Sequence, residues 1–128
     1  MDNYIAGYGG HAKVIYQITQ EHNLKISGFL NIPLKKNIKP PKYILGIPVI
    51  KLNLIKKKST IFIGIGDNSD RYKTFNLLKK NFKLPNLISK KSLLHNSVKI
   101  GMATVIFPNS VININASIGK NSIVNSGA

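Results

Sequence analysis

Over residues 1 to about 86, apolar positions come in short runs separated by polar stretches, and the spacing within each run identifies the element. Tyr4-Ile5-Ala6 is a strand-length run. A glycine-rich turn follows, and then Ala12, Ile15, Ile18 and Thr19 at helical spacing, which predicts a helix ending near Asn23. Lys25 to Leu30 predicts a second strand. The polar segment from Asn31 to Lys42, broken most strongly at Pro40-Pro41, predicts a loop. Val49-Ile50 and Thr60 to Ile63 predict further short strands. Asn68 or Ser69 is expected to cap a helix whose apolar face is Tyr72, Phe75, Leu78 and Phe82. Strand and helix in this alternation predict a small parallel α/β sheet with right-handed crossovers.

After about Leu87 the pattern changes. Leu94, Ile100, Ile106, Ile112, Ile118 and Val124 stand six residues apart. Four positions beyond each stand Val98, Thr104, Ser110, Ala116, Ser122 and Ala128, all small but the first. Two hairpins with Asn-rich turns would alternate with period two instead. A period of six is the hexapeptide repeat of a parallel β-helix. With three hexads to a triangular coil, Leu94 is expected to stack on Ile112, Ile100 on Ile118 and Ile106 on Val124, the small residues serving the corners.

The length of 128 residues suits one ordinary domain. The repeat divides it instead into a small α/β unit, residues 1–86, and the first coils of a β-helix, residues 87–128. There is no Cys, which excludes disulfides, thiol nucleophiles and thiolate metal sites. The only acids are Asp2, Glu21, Asp67 and Asp70, a short list from which to draw a general acid and base. The net charge of +15 is the usual footprint of a nucleic-acid binder. Every one of the 19 cations except Arg71 is Lys, however, and the clusters at Lys35-Lys36, Lys56-Lys57-Lys58, Lys79-Lys80 and Lys90-Lys91 lack interleaved aromatics. The abundance of Ile, Asn and Lys points to a compositional bias filling exposed positions. No run approaches the length of a membrane span, and the N-terminus lacks the apolar core of a signal peptide, so a cytoplasmic protein is expected.

Gly7-Tyr8-Gly9-Gly10-His11-Ala12-Lys13 lies where the first strand turns into the first helix, a position at which unpaired N–H groups and the helix dipole attract phosphate. Gly7, Gly9 and Ala12 satisfy the G-x-G-x-x-A spacing of dinucleotide sites. A nicotinamide dinucleotide would call for an acid at the end of the second strand, about twenty residues on. Asn31 stands there, followed by Ile32, which disfavours that cofactor and leaves other nucleotides open. His11 suits either a hydrogen bond at the helix start or a ligand contact, and Lys13 either a phosphate or solvent. His22 is expected to be exposed near the end of the helix, and His95 to point outward from the first repeat. No two histidines have metal-ligand spacing, so no metal site is expected.

The ordered set of Gly-Tyr-Gly-Gly-His-Ala-Lys, Gly28-Phe29-Leu30, Ile63-Gly64-Ile65-Gly66-Asp67-Asn68 with Arg71, and the repeats Ile118-Gly119-Lys120-Asn121-Ser122 and Val124-Asn125-Ser126-Gly127-Ala128 resembles the sialic acid O-acetyltransferase family of NeuD- and PglD-like proteins. The resemblance covers essentially the whole chain. It implies a Rossmann-like N-terminal domain that binds a nucleotide-activated amino sugar, then a left-handed parallel β-helix that forms a homotrimer and holds acetyl-CoA between subunits. By motif match, Gly9, Gly10 and His11 would meet the nucleotide sugar, and Gly66 would allow its close approach. Asn31 and Ile32 stand where the family usually has two acids, and Ser89-Lys90 where it has His-Pro.

In the family the general-base histidine follows the Asn-Ser/Thr-Gly-Ala segment. The sequence ends at Ala128, and none of His11, His22 or His95 takes its place. The resemblance therefore implies the N-terminal part of an acetyl-CoA-dependent acetyltransferase, shortened and not competent alone. Two other readings are a non-catalytic nucleotide-sugar-binding module and, less favoured by the scattered Lys, a basic nucleic-acid-associated protein.

Overall fold

The computed structural model describes residues 2–34 and 38–128. Lys35-Lys36, within the expected 31–42 loop, lie outside the described residues. The first half contains β1 (Asn3–Ala6), α1 (Gly10–Glu21), β2 (Ile26–Asn31), β3 (Tyr43–Ile44), β4 (Ile47–Lys51), β5 (Thr60–Ile63) and α2 (Asn68–Leu78). The sheet order is β3-β4-β2-β1-β5, and all neighbours are parallel except β3 and β4. The chain thus returns across β1 between β4 and β5. That reversal opens a crevice at the carboxyl ends of the strands, where α/β sheets bind ligands.

The predicted strands are all present. The β3–β4 hairpin is an addition: β3 and the turn lie between the expected loop, which ends at Lys42, and the expected strand at Val49-Ile50. Its turn residues Leu45 and Gly46 both have positive φ, 50° and 76°, as a two-residue primed turn requires. Leu is a poor residue for that conformation, so Gly46 is the one turn signal at this point in the sequence.

Helix α1 forms as its spacing predicts. Ala12, Ile15, Ile18 and Thr19 are its buried residues. It ends on Asn23 at φ 55°, with the Leu24 N–H bonded to the Thr19 carbonyl and the Asn23 N–H to that of Gln20, a left-handed terminal cap. Helix α2 departs from expectation in two ways. Its N-cap is Asp67, whose carboxylate accepts from the Asp70 N–H at 2.9 Å, in place of Asn68 or Ser69. Its buried face is Arg71, Thr74 and Leu78. Tyr72 is 67% exposed, and Phe82 lies beyond the helix end. Leu78 is buried and Phe75 and Phe82 pack against the core as expected, but Arg71 and Thr74 complete the buried face in place of Tyr72, and a buried Arg and Thr carry no apolar signal.

The second half winds β6 (Leu87–Ile88), β7 (Leu93–Leu94), β8 (Lys99–Ile100), β9 (Val105–Ile106), β10 (Val111–Ile112), β11 (Ser117–Ile118) and β12 (Ile123–Val124) into three parallel faces. Strand partners are eighteen residues apart throughout, pairing Leu94 with Ile112, Ile100 with Ile118 and Ile106 with Val124. The face β6-β9-β12 has three rungs because Ile88 joins the same register. The fold is therefore an α/β unit with a parallel sheet followed by left-handed β-helix coils.

The corners account for three of the fifteen Asn. Ala103, Asn109, Asn115, Asn121 and Gly127 all have positive φ, between 54° and 75°, at intervals of six. From Ala103 onward each corner uses one left-handed residue, and Asn and Gly adopt that region at least cost. These asparagines are architectural and not compositional filler. The small residue follows each corner. Thr104 and Ser110 are buried there and donate their hydroxyls to the Gly119 and Asn125 carbonyls of the next coil, at 2.7 and 3.0 Å.

One apolar cluster runs through both patterns. Ile5, Ala12, Ile15, Ile18, Phe29 and Phe62 share it with Leu87, Val105 and Phe107, so the β6-β9-β12 face is covered by α1. Glu21 at the end of α1 accepts from the Ser89 hydroxyl at 3.0 Å and the Lys90 N–H at 2.7 Å. His22, expected to be exposed, is half-buried with Nε2 2.7 Å from the Ile88 carbonyl oxygen. No helix among the described residues is long and apolar enough to cross a membrane.

Candidate functional site

The chain leaves β1 through Gly7, whose φ of 96° bends it sharply toward α1. A Cβ at Gly7 would stand 2.9 Å from the Gly64 carbonyl oxygen, so no side chain fits between the two turns. Gly9 is the N-cap of α1, and no side chain caps the first turn. Its leading N–H groups therefore lack the side-chain acceptor that most helices supply. At Gly9 and Gly10 an added Cβ would meet nothing within 4 Å, so the space in front of the turn is open. The second helix makes an instructive contrast: Asp67 satisfies its N-terminus with its own carboxylate.

That open space is a cleft of about 480 Å³ at the carboxyl ends of β1, β2 and β5. Gly9, Gly10, His11, Asn31, Ile32 and Gly66, the residues singled out from the sequence, all line it. Asn31 ends β2, and Ile32 is only 6% exposed because it also packs into the core beside Ile63 and Ala6. A second hollow of about 510 Å³ adjoins at Asn31 and Pro33 and extends to Lys51, Lys57 and Phe82. Asp67 is the carboxylate on the first cleft, and it is engaged by α2. An open helix N-terminus in a glycine turn, with a polar amide across from it, suits a ligand that carries phosphate and a hydrogen-bonding group.

His11 belongs to the cleft wall by stacking. Its ring lies on Phe107 of the β-helix, centroids 5.3 Å apart and planes at 28°. A Cβ at Gly66 would come within 3.3 Å of its Cγ and Nδ1, so glycine there gives the ring its place. Nε2 is buried with no hydrogen-bond partner. Burial, and secondarily the Arg71 guanidinium, lower the pKa below the usual 6.5 and favour the neutral ring. Nε2 makes no helix-start hydrogen bond, one of the two roles the sequence allowed for His11. His95 is exposed, with Nδ1 engaged by Ser97. Among the described residues no group of His, Asp and Glu could hold a metal ion.

Behind this wall lies a residue whose role sequence reasoning missed. Arg71, 2% exposed, donates from Nη1 to the Ile63 and Ile65 carbonyls at 2.7 and 3.2 Å, and from Nη2 and Nε to those of Ala103 and Asn121 at 2.7 and 3.2 Å. Burial lowers its pKa to about 10, still charged at neutral pH. Its being the lone Arg among so many Lys was the available signal.

A family model described as the PglD N-terminal domain matches residues 4–78, the stretch that builds the cleft. The chain belongs to this family. PglD-like architecture extends through the β-helix as well. A mutant form of perosamine N-acetyltransferase from Caulobacter crescentus, solved with CoA and GDP-perosamine, superposes with a TM-score of 0.83 at 25% identity, over 99% of this chain and 61% of that one. The acetyltransferase domain of PglB from Neisseria gonorrhoeae FA1090, solved with acetyl coenzyme A, gives 0.84 at 26% identity, over 98% and 62%. This PglD-family chain thus spans about three fifths of the length of the structures it resembles. A comparison with curated protein sequences gives no match.

Proposed function

We propose that the cleft binds a nucleotide-activated sugar, and that the chain is the N-terminal part of an acetyl-CoA-dependent sugar acetyltransferase of surface-glycan biosynthesis. The observation that carries this reading is the uncapped glycine N-terminus of α1, open to a cleft on which all six expected residues meet. The diphosphate would lie against Gly9 and Gly10, with Asn31 facing the ribose in place of an acid. Support for the sugar class comes from the Caulobacter protein, solved with GDP-perosamine. Residues 1–86 would form the nucleotide-sugar-binding part and residues 87–128 the start of the β-helix, through which copies would assemble as a homotrimer.

Acetyl-CoA would be the acyl donor, its thioester carbonyl attacked by the sugar nitrogen or oxygen while a base takes the proton and CoA leaves as the thiol. Among the described residues we assign that base to none. The protein's own contribution is to seat the nucleotide and to aim the sugar past His11 toward Phe107 and the coils.

Isothermal titration with a UDP-sugar and a GDP-sugar tests the reading, followed by a free-thiol assay with acetyl-CoA. Saturable binding supports the cleft reading, and acetyl transfer on top of it supports the acyltransferase; binding without transfer is the outcome expected of a part with no assigned base and equally of the second reading, a non-catalytic nucleotide-sugar module. Absence of binding by either sugar nucleotide refutes both.

A further inference from the structure

Arg71 is held only by backbone carbonyls, and these come from two different places. Ile63 and Ile65 belong to the end of β5 and the start of the cleft wall; Ala103 and Asn121 are corner residues of successive β-helix coils. The Asn121 side chain returns a hydrogen bond from Nδ2 to the Arg71 carbonyl at 3.3 Å. A guanidinium carries its donors in a rigid planar fork, so the four carbonyls must keep a fixed arrangement around it. Charge-assisted bonds of this kind are about twice as strong as neutral ones. Displacing the Ile65-Gly66 wall would therefore pull on both corners, or leave a buried charge unsatisfied.

We infer that Arg71 is a positioning residue that couples the nucleotide cleft to the β-helix: occupation of the cleft and closure of the Ala103 and Asn121 corners are one equilibrium. The ligand half of this statement rests on the reading of the cleft given above; the mechanical half does not. His11 fits the same arrangement, since its ring is sandwiched between Gly66 of the wall and Phe107 of the coils. A ligand that fixes the wall would thereby fix the coils on which an acyl acceptor must be presented, although it touches neither corner.

Hydrogen exchange by NMR on the full chain tests this in two stages. The Gly64, Ala103 and Asn121 amides are bonded to the Ala6, Leu84 and Met102 carbonyls, so each reports locally on wall or corner. Without ligand, Arg71→Lys, which keeps the charge and loses the fork, should speed exchange at all three by at least tenfold, with Phe29 in the central strand β2 unchanged. Unchanged exchange at the corners would overturn the mechanical claim.

The wild-type protein supplies the second arm and remains decisive should the variant not fold. Arg71 is the only arginine, so its Nε–H gives a single signal, expected to exchange slowly. Addition of UDP or GDP should slow the Ala103 and Asn121 amides and shift that signal. A nucleotide that binds and leaves them unmoved would overturn the coupling. Failure of both nucleotides to bind would refute the ligand half together with the cleft's proposed function, while the ligand-free Nε–H exchange still decides the mechanical half.

Discussion

Substituting Gly10 by Ala separates the needs of the fold from those of the ligand, because the two should respond with opposite signs. Gly10 is the first residue of α1, its φ is not in the left-handed region, and a Cβ there would meet nothing within 4 Å. Replacing Gly by Ala in a compatible conformation raises stability by about 0.4–1 kcal/mol, chiefly by restricting the unfolded chain. For a chain of this size that is an increase in Tm of roughly 2–4 °C. The new methyl group would project into the cleft, between the N–H groups of the first turn and any phosphate approaching them. Losing a hydrogen bond to a charged group costs about 1.5–3 kcal/mol, which weakens binding roughly 10- to 100-fold. Calorimetric melting of the free protein and isothermal titration with a UDP-sugar and a GDP-sugar read the two effects separately. A raised Tm with unchanged affinity would refute the phosphate position. A lowered Tm would refute the geometry assigned to the turn.

Three further outcomes are expected. Gly64→Ala would place a Cβ 2.8 Å from Ile5 Cγ2 and 2.9 Å from both Ala12 Cα and the Ala6 carbonyl oxygen, so urea denaturation should show a loss of about 1–3 kcal/mol; an unchanged midpoint would mean that helix and sheet can separate there. At the corner formed by Asn115, φ 64°, Ala should cost about 1 kcal/mol and Gly close to nothing, read from the same denaturation curves. The depressed pKa of His11 sets a pH dependence. Above pH 6.5 the ring is neutral both folded and unfolded, and its contribution is complete. As the pH falls below that value the unfolded chain takes up a proton that the buried ring resists, so stability declines until the folded pKa is passed. His11→Phe keeps the stack on Phe107 and should flatten the decline in urea midpoint between about pH 7 and pH 5; an unaltered slope would assign it to another group.

The elements that could be read from the sequence are those whose signal is apolar periodicity. Period six fixed the β-helix and its eighteen-residue pairing, and the buried face of α1 follows from Ala12, Ile15, Ile18 and Thr19. The cleft was equally legible, because glycines at a strand-to-helix turn have few other uses. What stayed hidden is polar and long-range. Arg71 and Thr74 occupy the buried face of α2 through hydrogen bonds that apolar spacing does not register. His22 finds its partner, Ile88, sixty-six residues away. Phe107 reads as one apolar residue among many until the coils bring it onto His11. Asn109, Asn115 and Asn121 were visible as a composition, but only the backbone shows that they meet a left-handed requirement.

The central claim is that the glycine turn of α1 seats a sugar nucleotide, and amide chemical-shift mapping of the isotope-labelled chain during titration with UDP- and GDP-sugars tests it most directly. The account predicts saturable shifts at Gly9, Gly10, His11, Asn31 and Gly66, with the largest at the two glycines that open the helix. No shifts, or shifts confined to the lysine-rich outer surface, would contradict it.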